Sequence, residues 1–415
     1  MGDVTAAARS RGYGLAAGVL LVLMLGGTLP VPLYILYQKQ MGFGALGVTV
    51  VFAAYVAGTL AALIFLGDLS DHIGRRTVLM IAVACAAVST ALFIVATSIG
   101  VLIIARVVSG LAAGFATGTA TAALAELQPR GNRRAAAVVA SGSNLTGLGL
   151  GPLVAGVFAE FVAMPTNSVF WAYLGACALV LAAIFGIPET VRHADRAVSL
   201  RPRLAAPADI RGVMIGACLG AFAAFSVLGL YSSLVPTFVH SILGIHNLAL
   251  IGGGSFLIFV IAAVSQAASA RVPARRSVSA GLPLLLVCLT GLELAVFTGW
   301  LWAFVVSAVV GGVAVGFIFR GGLSELNRLA GERNRAAVVS TFFAVAYLGL
   351  GFTPVLTGLI SVPVGATDAS AIVAGLAAAI VAASFVAVLR AFGLSAAGRP
   401  DLAERPRSRR QEARR

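Results

Sequence analysis

Long apolar stretches follow one another along almost the whole chain, and they decide what it can fold into. Each approaches the roughly 20 residues that an α-helix needs to cross the hydrocarbon core of a bilayer. Charged residues make up 11% of the 415 residues, well below the about 25% of an average soluble domain. The sequence therefore predicts an all-α polytopic membrane protein with about twelve transmembrane helices. The predicted spans are residues 14–37, 44–66, 77–97, 99–125, 136–160, 168–187, 212–238, 247–270, 278–298, 300–322, 336–360 and 370–392.

Basic residues mark alternate loops between these spans. The net charge is +14, and one side of the predicted topology holds nearly all of it, with Lys39 on the other side. The positive-inside rule places the basic side and both termini in the cytoplasm, so we expect a multi-pass protein of the inner (plasma) membrane. The positive charge is then explained by the orientation of the protein in the membrane, and we expect no nucleic-acid partner. The basic positions are Arg9, Arg11, Arg75, Arg76, Arg130, Arg133, Arg134, Arg192, Arg196, Arg201, Arg203, Arg211, Arg271, Arg275, Arg276, Arg328, Arg333, Arg335 and the tail from Arg399.

The first apolar stretch follows Arg9 and Arg11, an arrangement that also begins a cleaved signal peptide. The run of residues 14–37 is longer than the apolar region of a signal peptide. We therefore expect a retained first transmembrane helix.

The two halves of the chain resemble each other. The run Ala-Ala-Val-Val occurs at 136–139 and at 336–339, and Leu-Gly-Leu-Gly occurs at 148–151 and 348–351. The common offset indicates a duplicated unit of six spans. We predict a first six-helix bundle at 1–187, a cytoplasmic central loop at 188–211 and a second bundle at 212–392. The basic tail at 393–415 is expected to be disordered and to contact anionic membrane lipid.

The loop between the second and third spans carries the most specific motif. It reads Gly-Asp-Leu-Ser-Asp-His-Ile-Gly-Arg-Arg from Gly67 to Arg76. This pattern resembles the loop signature of the major facilitator superfamily, and the two bundles fit that fold. The resemblance implies a conformational latch that closes the cytoplasmic gate in one state and releases it in another. Its candidate residues are Gly67, Asp68, Asp71, Gly74, Arg75 and Arg76.

Two ionisable residues within predicted spans are candidates for ion coupling. Arg106 is in the fourth span, and a charge in hydrocarbon is expected to face the interior and to have a partner, unless it snorkels to the interface. Its surroundings resemble a second segment of the same superfamily, in which the arginine is linked to proton transfer. Glu293, in the ninth span, is the other coupling candidate.

The fifth span contains Gly147, Gly151, Pro152 and Gly156. Proline removes a helical hydrogen bond and kinks the helix, while glycine permits close packing. The segment resembles the antiporter motif of the drug:proton exporters, although Ala155 stands where that motif usually has glycine.

The first span holds Pro30 and Pro32, which are expected to loosen its outer end as part of a gate. Tyr34 lines the cavity or belongs to an interfacial aromatic belt. Asn144 is a polar group within the fifth span, able to bind a neighbouring helix or a substrate.

These features favour a secondary transporter that works by alternating access. The resemblance to twelve-span drug:proton antiporters implies export of a drug-like or amphipathic compound against inward proton flow. One alternative is a facilitator or symporter for a sugar or metabolite, and another is a transporter-like sensor without turnover. The sequence has no phosphate loop, metal-ligand spacing or catalytic triad, so we expect no enzyme, cofactor or metal site. One chain supplies both bundles, and we expect a monomer.

Overall fold

The computed structural model describes residues 6–66, 69–191, 206–237, 244, 246–331 and 334–397. These residues form fourteen α-helices and no strand. The helices are α1 (Ala6–Thr28), α2 (Tyr34–Met41), α3 (Ala45–Phe65), α4 (Leu69–Ile73), α5 (Arg75–Ile94), α6 (Ile99–Leu127), α7 (Arg133–Phe161), α8 (Pro165–Ile184), α9 (Arg211–Thr237), α10 (Leu248–Ala268), α11 (Ala274–Thr298), α12 (Leu301–Leu329), α13 (Arg335–Val364) and α14 (Ala366–Ala397).

Twelve of these helices are long and apolar enough to cross a membrane, all except the short α2 and α4. The prediction of twelve spans in an all-α protein is confirmed. The predicted end of the tenth span at residue 322 is wrong, because α12 continues to Leu329. Its last turns carry polar residues such as Ser324 and Glu325 that face a cavity rather than lipid. Apolar length alone therefore ended that span too early.

The first predicted span, 14–37, is not one helix. The helix α1 begins earlier, at Ala6, and ends at Thr28, and α2 begins at Tyr34. Proline has no N–H to continue the helical ladder. Around Pro30 and Pro32 the chain instead makes two tight turns, from Val31 N to Thr28 O (3.1 Å) and from Leu33 N to Pro30 O (3.1 Å).

The spans form two sets of six with the same packing. In the first set α1 contacts α6, α7 and α8. In addition α3 contacts α6, α8 contacts α5, and α5 contacts α6. Every one of these pairs has a counterpart six spans later: α9 contacts α12, α13 and α14, α10 contacts α12, α14 contacts α11, and α11 contacts α12. This repetition agrees with the duplicated unit. The predicted limits of the central loop stay a prediction, because residues 192–205 lie outside the described residues, as does the tail from 398.

The two halves meet mainly where α7 packs on α10 and where α3 packs on α13. Glycine makes both crossings close. A Cβ atom at Gly156 or Gly252 would overlap a backbone carbonyl oxygen of the opposite helix, and one at Gly351 would overlap Val56. We call these contacts the glycine crossings. Small residues at such positions let the backbones of transmembrane helices approach closely.

The glycine crossings lie away from the arginine-rich helix ends. We call the side that bears Arg75, Arg133, Arg271 and Arg328 the basic face, and the other side the opposite face. Along α7, which starts at Arg133, Gly156 is close to the far end at Phe161. The contact of α7 with α10 therefore lies toward the opposite face, whereas Gly351 meets Val56 near the middle of α13 and α3.

Replacement of Gly252 tests the crossing of α7 and α10. We expect Gly252→Val to lower the apparent melting temperature of the purified protein, because the added atoms meet the Pro152 carbonyl oxygen and overpacking costs about 1–3 kcal/mol. Gly253→Val is the matched control, since a Cβ atom at Gly253 has no neighbour within 4 Å. Equal melting temperatures for both variants would contradict close packing here.

Candidate functional site

A cavity of about 1230 Å³ lies between the two halves and is lined by the basic-face ends of their helices. Its wall includes Thr117 and Thr121 of α6, Ser141 of α7, Leu323 of α12 and Phe343 of α13. Exposed charged residues at helix ends, such as Arg133 and Arg328, are also part of the wall. The cavity therefore reaches the basic face, whereas the glycine crossings separate it from the opposite face.

A polar cluster joins the halves at the inner end of this cavity. Asn144 donates from Nδ2 to Tyr347 Oη (3.0 Å) and to Thr117 Oγ1 (3.3 Å), and the hydroxyls of Thr117 and Tyr347 are 3.3 Å apart. The Met24 sulfur is a further neighbour, 3.5 Å from Tyr347 Oη. Asn144, a residue singled out in the sequence, thus binds a residue of the other half. Tyr347 was missed, because a single tyrosine in an apolar run does not reveal which helix it faces.

A second polar contact closes the opposite face. The exposed carboxylate of Glu160, at the end of α7, accepts a hydrogen bond from the Leu248 backbone N–H (3.0 Å). Leu248 is the first residue of α10, so an acid of one half caps a helix of the other. The N-terminus of a helix carries partial positive charge and unpaired N–H groups, which stabilise a carboxylate there. Glu160 was missed in the sequence, because it is the last residue of the predicted fifth span and the helix that it caps was not known.

Arg106 is fully buried and faces the broken first span. Its Nη1 donates to the Gly27 carbonyl oxygen (2.6 Å), and its Nε donates to Tyr34 Oη. The Cζ atom lies 5.3, 5.9 and 5.1 Å from the ring centres of Tyr34, Phe52 and Tyr55, within the range of a cation–π interaction. The prediction that Arg106 faces the interior and has a partner is confirmed, and the snorkelling alternative is wrong.

The partner of Arg106 follows from the prolines. In a continuous helix the Gly27 carbonyl would accept from the Val31 N–H, but that N–H turns to Thr28 O. Arg106 supplies the missing donor. Tyr34 is 3% exposed, so the aromatic-belt alternative is wrong for it, and it contacts Arg106 rather than the cavity described above. Pro30 and Pro32 thus create the site that Arg106 occupies.

The loop motif forms an ion-pair network within the first half. Arg75 contacts Asp71 (2.5 Å) and Glu126 (2.9 Å), and it donates to Ser70 Oγ (2.5 Å). Gly67 and Asp68 lie outside the described residues. These three partners of Arg75 belong to the first half, which agrees with a latch that is released while the cavity reaches this face. A role as a latch remains a prediction.

Glu189 completes this network and was missed in the sequence. Its carboxylate accepts from the backbone N–H groups of Arg75 (3.0 Å) and Arg76 (3.0 Å), the first two residues of α5. Gly74 has φ of 96°, and a Cβ atom there would lie 2.6 Å from Glu189 Oε2. Glycine is therefore required at position 74 for two reasons: the positive φ angle favours glycine, and a side chain would collide with the Glu189 carboxylate. Arg76 lies over the ring of Phe185, 4.6 Å from its centre.

The glycine and proline motif of α7 serves two interfaces. A Cβ atom at Gly147 or Gly151 would overlap atoms of α1, whereas Gly156 packs against α10 of the other half. Pro152 lies inside the helix, and its carbonyl oxygen faces Gly252. The motif lets α7 contact its own half and the other half at once.

Glu293 lies apart from the other candidates. It is in α11, near the end at Thr298, and accepts a hydrogen bond from Ser370 Oγ of α14 (3.2 Å). The structure does not bring Glu293 near Arg106, and it is not among the described residues of the cavity wall. Arg320 is in that wall and was missed, because it lay close to the predicted end of the tenth span.

Loss of one carboxylate tests the network around Arg75. We expect Glu126→Gln to lower the apparent melting temperature by several degrees, because the side chain of Arg75 is only 10% exposed and would lose its bidentate partner. Glu325→Gln is the control in the second half. The side chain of Glu325 is 12% exposed, but its partner Arg328 is 58% exposed and can bind water instead, so the loss is expected to be about 1 kcal/mol or less. An equal effect of both changes would contradict a buried network.

Comparisons with known proteins agree with this architecture. A triacylglyceride transporter of Mycobacteroides abscessus is 28% identical over 186 residues, which are 45% of this chain and 34% of that protein. The quinolone resistance protein NorA of Staphylococcus aureus is 26% identical over 141 residues, 34% of this chain and 36% of that protein. The chain thus matches about a third of the length of these relatives.

A solved structure covers nearly the whole fold. The human organic anion transporter MFSD10 (TETRAN) superposes with a TM-score of 0.67 over 92% of this chain and 99% of that one, at 18% identity. This likeness concerns the fold alone. Residues 16–303 match the sequence profile of the Major Facilitator Superfamily, more than half of the chain. The protein is therefore a multi-pass membrane protein that belongs to the Major Facilitator Superfamily, a family of transporters.

Proposed function

We propose that this protein is a secondary active transporter that exports a drug-like or amphipathic small molecule by alternating access, with protons moving inward. The observation that carries the proposal is a large cavity between two repeated halves that reaches one face only. A site exposed to one side at a time is the requirement for moving a solute without opening a channel. Relatives named for quinolone resistance and for triacylglyceride transport support an apolar or amphipathic substrate.

The direction of the cavity follows from the charge of the loops. The positive-inside rule assigns the basic face, with Arg75, Arg133, Arg271 and Arg328, to the cytoplasm. The described conformation is then the inward-facing one. An exporter would load its substrate from the cytoplasm or the inner leaflet in this conformation.

Transport requires the contacts at the opposite face to break while new ones form at the basic face. The contacts that break are the hydrogen bond of Glu160 to α10, the bonds between Asn144, Thr117 and Tyr347, and the glycine crossings. Asp71 is half exposed at the cavity rim and is placed to contact the second half when the rim closes. The proposed latch would act at that stage.

Proton coupling requires an ionisable group that binds and releases a proton during the transport cycle. Arg106 and Glu293 remain the coupling candidates, and they occupy different halves. The hydroxyls of Thr117, Thr121 and Ser141 in the cavity wall favour a second candidate function, facilitated or coupled transport of a polar metabolite such as a sugar. Dye transport distinguishes the two.

Dye efflux tests the export function. We expect everted membrane vesicles that contain the protein to accumulate an amphipathic dye when a proton gradient is imposed. Asp71→Asn should slow this movement severalfold, because closure of the basic face loses a charge, and Asp71→Glu should retain most of it. An equal rate of dye accumulation with and without the proton gradient would contradict proton coupling. If a folded protein moves no dye, uptake of sugars and amino acids is measured next, and absence of any transport favours a sensor.

A change at Glu160 tests alternating access from the other side. We expect Glu160→Gln to weaken closure of the opposite face and shift the protein toward outward-facing conformations, by roughly two- to fivefold if the carboxylate contributes up to about 1 kcal/mol at the α10 terminus. The measurement is the rate at which an impermeant maleimide at the basic face modifies an Ala122→Cys reporter in the cavity wall, in a background without native cysteines. The rate should fall in Glu160→Gln.

The control for this experiment is Asp368→Asn. Asp368 is an exposed acid in the first turn of α14, on the same face as Glu160. It should leave the labelling rate unchanged. An unchanged rate in Glu160→Gln as well would show that this hydrogen bond does not hold the face closed.

A further inference from the structure

We propose that the cavity selects amphipathic anions, with Arg320 binding the anionic group and Phe343 contacting the apolar body. This inference rests on the proposed transport function and names the substrate class of the same cavity.

Arg320 differs from the other arginines of the wall in depth. It lies in α12 more than two helical turns before the end at Leu329, which corresponds to about 13 Å along the axis. Arg320 is 7% exposed, whereas Arg133, Arg271 and Arg275 lie exposed at helix ends. Orientation in the membrane explains basic residues at helix ends. It does not explain an arginine inside the wall, where a charge is costly and usually functional.

The described residues of the wall carry more positive than negative charge. Three carboxylates are present, and each already contacts an arginine: Asp71 and Glu126 contact Arg75, and Glu325 contacts Arg328. The excess therefore favours an anionic guest. The charged wall residues are Arg75, Arg133, Arg271, Arg275, Arg320, Arg328, Asp71, Glu126 and Glu325.

At the level of Arg320 the facing half contributes neutral hydroxyl groups. Thr117 and Ser141 lie at similar distances from the basic ends of α6 and α7. Among the described wall residues no carboxylate lies at this depth to attract a cation. A cationic compound would have to approach Arg320 in a low-dielectric environment, where repulsion between like charges is strong.

The guanidinium of Arg320 is held in place by the protein. Its Nη2 donates to the Val272 carbonyl oxygen (2.8 Å), in the turn between α10 and α11. A guanidinium carries five N–H groups in a planar fork that fits carboxylate, sulfonate or phosphate groups. Fixing the head of a long side chain reduces the entropy lost when it binds an anion.

An aromatic cluster contributes one ring to the same wall. Phe343 lines the cavity and packs against Phe319, with ring centres 5.5 Å apart. Phe319 in turn contacts Phe342 (5.1 Å) and Phe225 (5.0 Å). A cationic group and an aromatic ring in the same wall match a ligand with an anionic group on a flat apolar body.

Two dyes with one ring system and opposite charge test this inference. Fluorescein, an anionic xanthene, and rhodamine 123, a cationic xanthene, are titrated against the purified full-length protein, and binding is followed by fluorescence anisotropy. We expect wild type to bind fluorescein about tenfold more tightly than rhodamine 123. Arg320→Gln should weaken fluorescein binding about tenfold and leave rhodamine 123 unchanged or tighter. Arg320→Lys should keep the preference for the anion.

The matched control is Arg328→Gln, which removes an exposed arginine of the same helix and the same wall. It should change the binding of either dye less than twofold. Equal binding of both dyes by wild type, a preference for rhodamine 123, or no binding of fluorescein would overturn the inference. So would an equal loss of both dyes in Arg320→Gln, since that result indicates a purely structural role at Val272.

Failure of the transport proposal gives a different result. If fluorescein binds with the expected preference but no gradient moves it in vesicles, export is wrong while the substrate class holds. If rhodamine 123 is exported and fluorescein is not, export holds and the assigned charge selectivity is wrong.

Discussion

Inside a bilayer, a backbone carbonyl without a hydrogen-bond partner costs several kcal/mol because no water is present to replace the partner. The first span of this protein ends that way at Gly27, since Pro30 and Pro32 stop the helical ladder. Arg106 fills the vacancy from α6, and its charge is surrounded by Tyr34, Phe52 and Tyr55. The break and the buried charge therefore require each other. Neither would be tolerated alone, and together they fix α1 and α2 against α6.

In the second half, the corresponding pair of helices is joined by a polar contact between neutral side chains. Between α9 and α12, which pack as α1 and α6 do, Tyr231 Oη and Ser307 Oγ are 2.6 Å apart. The halves thus share their packing but differ in the polar group at this place. A charge on one side only makes the two bundles chemically unequal.

Much of the fold was readable from the sequence, because the signals involved are local. Apolar length predicted twelve spans, the loop motif marked Asp71 and Arg75, and an embedded arginine marked Arg106. The residues that were missed act over long distances in the chain: Glu160 caps α10, Glu189 caps α5, and Tyr347 reaches Asn144. An acid at a helix end resembles any solvated acid until the helix that it caps is known. Arg320 was missed for another reason, since a span boundary drawn by apolar length excluded its surroundings.

Glu189 has a mechanical consequence. It lies just after α8, where the chain leaves the first half toward the second, and it is bonded to the first two N–H groups of α5. Thr190, the next residue, donates to Glu126. The connecting chain is therefore anchored on the same helix end that carries Arg75 and follows the Asp71 loop. The first residues of the connection to the second half are thus bonded to the helix that begins directly after the Asp71 loop, and they move together with it.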